Sequence, residues 1–347
     1  MSKLKIAIIC GGKSSEHEIS CVSANGILNA LDRAQFEPVL IGITKNGRWL
    51  LLPSDTNFAI INGALPVVPE SGVEINVTSQ GLFSGGKNLE IDVAFPILHG
   101  PYGEDGTIQG LLEMIGIKYV GSGVLASAVC MDKSYAKPIF ASAGLNVAPG
   151  IVVTSKDFEL PSTLKLPLFV KPARSGSSRG TTKVKELSQL AAAVEHALDF
   201  DTKVIIEQAI VGKEIECAVL QADDKITVSK VGQILISDKF EFYDFQAKYL
   251  DDSMQLILPA DLPEEASRQI QQAALIAFEA AGCEGLARVD FFYSSEGKVN
   301  INEINAMPGF TPMSVYPKLI ENSGINYQLL ITKLIQTAKN RSSSITR

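Results

Sequence analysis

Two hydrophobic periods alternate along the chain. KIAIICGG near the N-terminus is an apolar run closed by glycines, the pattern of a buried first strand. VSANGILNAL then reads as a helix, and EPVLIGITKNGRWLLL as one or two further strands. From Pro53 to Glu90 the chain is rich in Gly, Pro, Ser and Asn, which predicts an irregular excursion on this first unit. IDVAFPILHG returns as a buried strand ending at His99-Gly100. A helix is expected from near Ser127 through MDKSYAKPIF, and a domain boundary near residue 130.

The next unit holds LPLFVKPARSGSSRGTTKV, an apolar strand, a glycine-serine loop and another strand. In KELSQLAAAVEHALDF, residues Leu187, Leu190, Ala191, Val194 and Leu198 form one helical stripe, and KVIIEQAIVG and KEIECAVL are the strands that follow. PEEASRQIQQAALIAFEAAG is the clearest helix, with Pro263 in its first turn and Gly282 just past its end. GLARVDFFY and KVNINEINAMPGF close the pattern as strands, and NRSSSITR reads as a disordered terminus. The alternation predicts an α/β protein, α+β in part, with domains at 1–130, 131–216 and 217–347.

Composition narrows the function classes. With 347 residues and 46% hydrophobic content the chain can bury a sizeable core. Its 31 Lys plus Arg against 38 Asp plus Glu leave no basic footprint for nucleic acid, so a bound anion must be held locally. No apolar run approaches the roughly 20 residues that span a bilayer, and MSKLKIAIICGG lacks a cleavage pattern, so no membrane partner is expected. The 5 cysteines are scattered and form no C-x-x-C pair, which argues against a disulfide framework or a zinc site and fits a reducing cytoplasm.

The chemistry-bearing residues cluster late in the chain. Arg288 and Asp290 share a strand face in ARVDFFY, as do Glu303 and Asn305 in INEIN, and the turn at SSEGK can bring the two strands together. Asp290, Glu303 and Asn305 would then offer hard oxygen ligands of the kind Mg²⁺ takes alongside substrate phosphates. By themselves three such residues are more commonly a solvated hairpin. Asn300 and Asn302 are expected on the opposite face. Lys171 ends an apolar strand, and the run Ser175, Gly176, Ser177, Ser178 and Gly180 could wrap phosphate oxygens, although it matches neither a P-loop nor a G-x-G-x-x-G fingerprint. Glu207, Gln208 and Glu214 could serve an adenine and ribose, or could be solvated strand ends.

GGKSSEHEIS, FPILHGPYGEDGTIQG, GSGVLASAVCMDK, FVKPARSGSSRG, EFYDFQAKYL, ARVDFF and NEINAMPGFTPMS stand in the order of the D-alanyl-D-alanine ligases, and the chain resembles that branch of the ATP-grasp superfamily over nearly its whole length. The resemblance implies a three-domain ATP-grasp fold with ATP gripped between the central and C-terminal domains, and a lid at 237–252. It implies ATP-dependent joining of two D-alanines through a D-alanyl phosphate for peptidoglycan. It implies two Mg²⁺ ions, replaceable by Mn²⁺, on Asp290, Glu303 and Asn305, and small-molecule partners, ATP and D-alanine, acting in a cytoplasmic homodimer.

By the same matches Lys133 and Lys171 resemble the lysines on the ATP phosphates, and Glu207 and Glu214 the adenine and ribose contacts. Lys248 and Arg288 resemble the groups that neutralise the developing intermediate, with the Gly309 amide facing the reacting oxygens. Glu16 resembles the anchor of the first D-alanine's ammonium, partnered by Ser177 and Tyr249. Ser314 and Val315 resemble the receivers of the second carboxylate, with His99 nearby. Departures are Gln208 where a lysine is frequent, Ser175 and Arg179 in the phosphate loop, and Phe245 in the lid. The alternatives are a D-alanyl-D-lactate or D-alanyl-D-serine ligase, against the former of which Tyr249 speaks, and a nucleotide-binding regulator without turnover.

Overall fold

The computed structural model describes residues 3–236 and 254–341. Three sheets succeed one another along the chain.

The first contains β1 (Leu4–Gly11), β2 (Phe36–Ile43), β3 (Trp49–Leu52), β4 (Val73–Thr78), β5 (Gly81–Ser84), β6 (Lys87–Asn88), β7 (Val93–Pro96) and β8 (Lys118–Tyr119), in the order β6-β5-β4-β3-β2-β1-β7-β8. β1 pairs parallel with β2 and β7, while β3 to β6 continue the sheet antiparallel. The stretch expected as an irregular excursion therefore carries three short strands. On one face of β1, Ile6, Ile8 and Cys10 pack with α1 (His17–Ala30); on the other, Ala7 and Ile9 pack with α2 (Thr107–Met114). Helices on both faces are why this strand reads as a continuous apolar run.

The single helix expected around residue 127 is two, α3 (Val124–Met131) and α4 (Lys133–Ser142). Asp132 adopts an extended conformation between them, and its carboxylate accepts from Ser134 N at 3.0 Å as an N-cap. The break puts Lys133 on the first turn of α4.

The second sheet, β9 (Gly150–Val153), β10 (Leu168–Pro172), β11 (Thr182–Val184) and β12 (Val204–Gln208), is antiparallel in the order β11-β10-β12-β9. Leu168, Val170, Val184, Val204 and Ile206 pack beneath α5 (Leu190–Leu198). The alternate residues Phe169, Lys171, Ile205 and Glu207 consequently face the other way.

The third sheet contains β13 (Gly212–Ala222), β14 (Lys225–Val228), β15 (Gly232–Ile236), β16 (Met254–Ile257), β17 (Leu286–Ser294) and β18 (Val299–Asn305). Its order is β16-β15-β13-β17-β18, with β14 paired to β13. Ile215, Cys217, Val289 and Phe291 pack with α6 (Glu264–Ala280); Ala218, Leu220 and Leu286 pack with α7 (Val315–Asn322) and α8 (Tyr327–Asn340). β13 starts at Gly212, so the division expected after residue 216 falls inside a strand.

Candidate active site

The hairpin of β17 and β18 brings Asp290, Glu303 and Asn305 together. Glu216, Asp290 and Glu303 are paired in one row across β13, β17 and β18, and Ala218, Arg288 and Asn305 form the adjacent row. Paired residues of antiparallel strands project from the same face, so these side chains gather on one patch. The register shifts between Asp290 and Phe291, with Phe291 opposite Ile301, which leaves Asn302 as the extra residue of a bulge. Strict alternation predicted that Asn302 faces away from the site; instead its Oδ1 accepts from Lys171 Nζ at 3.3 Å.

Asp290 is 4% exposed and receives Arg288 Nε and Nη2 at 2.7 Å each, while Asn305 Nδ2 donates to it at 3.0 Å. Lys133 Nζ pairs with Glu303 Oε2 at 2.9 Å and donates to the Ser175 carbonyl at 3.1 Å. Burial disfavours the Lys133 ammonium, but the Glu303 carboxylate outweighs it and raises the lysine's pKa. Asp290 and Glu303 thus each have a cation against them, as charge removed from water requires.

Among the described residues no group of three or more His, Cys, Asp or Glu could hold a metal ion. Two carboxylates and an amide oxygen on neighbouring strands still suit Mg²⁺, which commonly binds through one or two carboxylates plus phosphates.

The second sheet supplies a groove beside this patch. A cavity of about 330 Å³ is walled by Val147, Val152 and Ile205 and edged by Lys133, Lys137 and Glu207. Lys171 pairs with Glu207, and Lys137 Nζ lies 2.8 Å from Glu207 Oε2. Burial would raise the Glu207 pKa, but the two ammoniums hold it down at about 2; burial lowers Lys171 by more than Glu207 restores. Lys137 was not identified from sequence, although its place four residues after Lys133 puts both on one face of α4. Gln208 turns away: its Oε1 accepts from Lys165 N at 3.1 Å, on the side opposite Glu207. Glu214 shares the β13 face of Glu216 and is half-buried.

A second cavity, of about 280 Å³, joins the Glu303–Asn305 patch to the first unit and is lined by Glu16, His99, Glu104, Ser177, Arg288, Glu303, Asn305, Gly309, Ser314 and Val315. Glu16 precedes α1, is buried, and accepts from Ser177 Oγ at 2.6 Å. At Gly100, with φ of +74°, a Cβ would sit 2.7 Å from Glu16 Oε2, so only glycine leaves room for that carboxylate. His99 is buried with Nε2 3.1 Å from Ser23 Oγ, and burial lowers its pKa, which keeps the imidazole neutral. Glu104, not singled out from sequence despite lying in HGPYGEDG, has its pKa raised to about 8 by burial and by the Glu16 charge. Ser314 and Val315 open α7 onto the cavity, where helix-terminal amides suit a carboxylate.

Lys248, Tyr249, Phe245 and the expected lid at 237–252 lie outside the described residues.

Residues 5–122 match the family described as D-ala D-ala ligase N-terminus, and residues 139–336 the family described as D-ala D-ala ligase C-terminus. A D-alanine--D-alanine ligase of Paenarthrobacter aurescens is 46% identical over 98% of this chain and 96% of its own; one from Mycolicibacterium smegmatis is 47% identical over 99% and 97%. Among solved structures, the VanG D-Ala:D-Ser ligase of Enterococcus faecalis superposes with a TM-score of 0.84 at 36% identity, covering 97% of this chain and 100% of the other. The D-alanine-D-alanine ligase of Coxiella burnetii gives 0.83 at 34% identity, covering 98% and 95%.

Proposed function

The chain belongs to the D-ala D-ala ligase family, and on that premise we propose that it joins two D-alanines to D-alanyl-D-alanine at the expense of ATP, giving ADP and phosphate for peptidoglycan precursor synthesis. One observation carries the reading to this chain's own residues. The nucleotide groove, the Asp290–Glu303 patch and the Glu16–Ser177 cavity adjoin, because Lys133, which lines the groove, pairs with Glu303, which lines the cavity.

A carboxylate acylates poorly until its oxygen becomes a good leaving group, so the first step is phosphoryl transfer from ATP to the first D-alanine. Catalysis of such a step is mostly positioning and charge neutralisation. Lys133 and Lys171 take the phosphates, exchanging Glu303 and Glu207 for them as partners. Glu207 and Glu214 receive adenine and ribose, with Gln208 outside the contact. Asp290, Glu303 and Asn305 would hold two Mg²⁺ ions, or Mn²⁺ in their place, which would supply charge neutralisation to the transferring phosphate. Glu16, oriented by Ser177, holds the first D-alanine's ammonium, and Tyr249 completes that contact.

The second D-alanine's amine then attacks the D-alanyl phosphate. Ser314 and the amide of Val315 bind its carboxylate, with neutral His99 beside it. Arg288 and Lys248 neutralise the oxyanion of the tetrahedral intermediate, and the Gly309 amide faces it. The protein acts as a cytoplasmic homodimer. Among the described residues no helix is long and apolar enough to cross a membrane.

Phosphate release from ATP with D-alanine, D-serine, D-lactate and L-alanine, singly and in pairs, tests the reading. Release with D-alanine alone, and a D-alanyl-D-alanine product, are expected. Release only when D-serine or D-lactate is added would favour the sibling ligases, and no release in any mixture would favour a regulator.

A further inference from the structure

The row across the third sheet contains a carboxylate that no step above uses. Glu216, on β13, is 1% exposed and sits directly opposite Asp290. Burying an ionised carboxylate is costly unless a cation answers it. Arg288 does so, with Nε 3.0 Å from Glu216 Oε2, and the same guanidinium holds both oxygens of Asp290 at 2.7 Å. Arg288 lines the substrate cavity and Glu216 does not, so the carboxylate lies behind the guanidinium as seen from the substrates.

We propose that Glu216 is a positioning residue for Arg288, the second anchor that keeps the guanidinium facing the reacting centre when Asp290 serves a metal ion. Both Asp290 oxygens are engaged by Arg288, and one also by Asn305. A divalent cation on Asp290 competes with Arg288 for those oxygens and repels it. With Asp290 as its sole anchor, the arginine would swing away as the metal arrived. Glu216 stands on the strand beyond Asp290, away from Glu303 and Asn305, and retains its charge for Arg288. Its central position in the sheet, between β15 and β17, fixes it rigidly. This role rests on the part given to Arg288 in the ligase reading.

Glu216→Gln keeps the shape and removes the charge. We expect kcat for dipeptide synthesis to fall at least about tenfold while KM for ATP stays within about twofold, since Lys133, Lys171 and Glu207 are untouched. Mn²⁺ binding to the nucleotide-free protein, followed by electron paramagnetic resonance, should weaken roughly threefold or more, because Arg288 then grips Asp290 alone. Unchanged kcat overturns the proposal. So does a loss of kcat matched by a rise in ATP KM with Mn²⁺ affinity unaltered, which is the result of a loosened sheet. Should Glu216→Gln fail to fold, Glu216→Asp keeps the charge on a shorter stem; lowered kcat with KM preserved supports the role, and wild-type kcat overturns it. The wild type is assayed alongside. Absence of dipeptide there overturns the ligase reading itself, whereas an active wild type with an indifferent Glu216 variant overturns only the role of Glu216.

Discussion

Ser177 Oγ donates a 2.6 Å hydrogen bond to Glu16 Oε1, joining residues 161 positions apart in the chain. The contact ties the glycine-serine loop of the second sheet to the entry of α1 in the first unit. The loop is shaped for it: Ser177 adopts a φ of +51°, and at Gly176 a Cβ would lie 3.2 Å from Glu16 Oε2. The anchor proposed for the first substrate therefore takes its shape only where two units meet.

Ser177→Ala removes one hydrogen bond to a buried carboxylate. Such bonds are worth about 1.5 to 3 kcal/mol, so kcat/KM for D-alanine should fall roughly 10- to 100-fold. KM for ATP should hold, because the lysines of the nucleotide groove are untouched. Steady-state kinetics with each substrate varied in turn checks the split; equal losses for both substrates would contradict it.

Glu303→Gln removes a charge from the proposed metal site and keeps its outline. Turnover should drop by at least roughly a hundredfold, since phosphate charge and geometry both depend on the ions. Lys133 also loses its anionic partner, so its raised pKa should return toward the ordinary value, visible by NMR titration of the labelled ammonium. Near-normal turnover at ordinary Mg²⁺ would refute the metal assignment.

Two neighbours on β12 should behave oppositely. Gln208→Ala loses only a hydrogen bond from the Lys165 amide and should leave KM for ATP within about twofold of wild type. Glu207→Gln strips from Lys137 and Lys171 the counter-charge that opposes the lowering of the Lys171 pKa by burial, which weakens their hold on phosphate and should raise that KM at least about tenfold. Calorimetric titration with a non-hydrolysable ATP analogue distinguishes the pair.

Glu104 gives stability a pH dependence of defined sign. Its folded pKa, about 8, lies above the ordinary carboxylate value, so between the two the native state binds a proton that the unfolded chain has lost. Stability contributed by this group is complete at low pH and is lost as pH rises toward 8. Glu104→Gln cannot ionise, so its melting temperature relative to wild type should climb between pH 5 and pH 8. A constant difference across that range would contradict the burial and the Glu16 charge that raise its pKa.

The sequence by itself determined what depends on local chemistry. The apolar run of β1, the α6 helix between Pro263 and Gly282, and the hairpin that aligns Asp290 with Glu303 follow from side-chain period and turn residues. The order of seven motifs also made the family legible. Other features depended on neighbours that no local pattern encodes. The helix expected through residue 132 breaks because Asp132 prefers capping Ser134 to continuing the turn, and β18 carries a bulge that swings Asn302 onto Lys171. The later part of the Pro53 to Glu90 stretch, from Val73, joins the sheet because β3 offers it an open edge. Glu216 and Lys137 gave no sequence signal as strong as the motifs, since a buried carboxylate and its cation are recognised only when both arrive at one place. Burial and pairing across distant strands set their charges, and those are properties of the assembled fold.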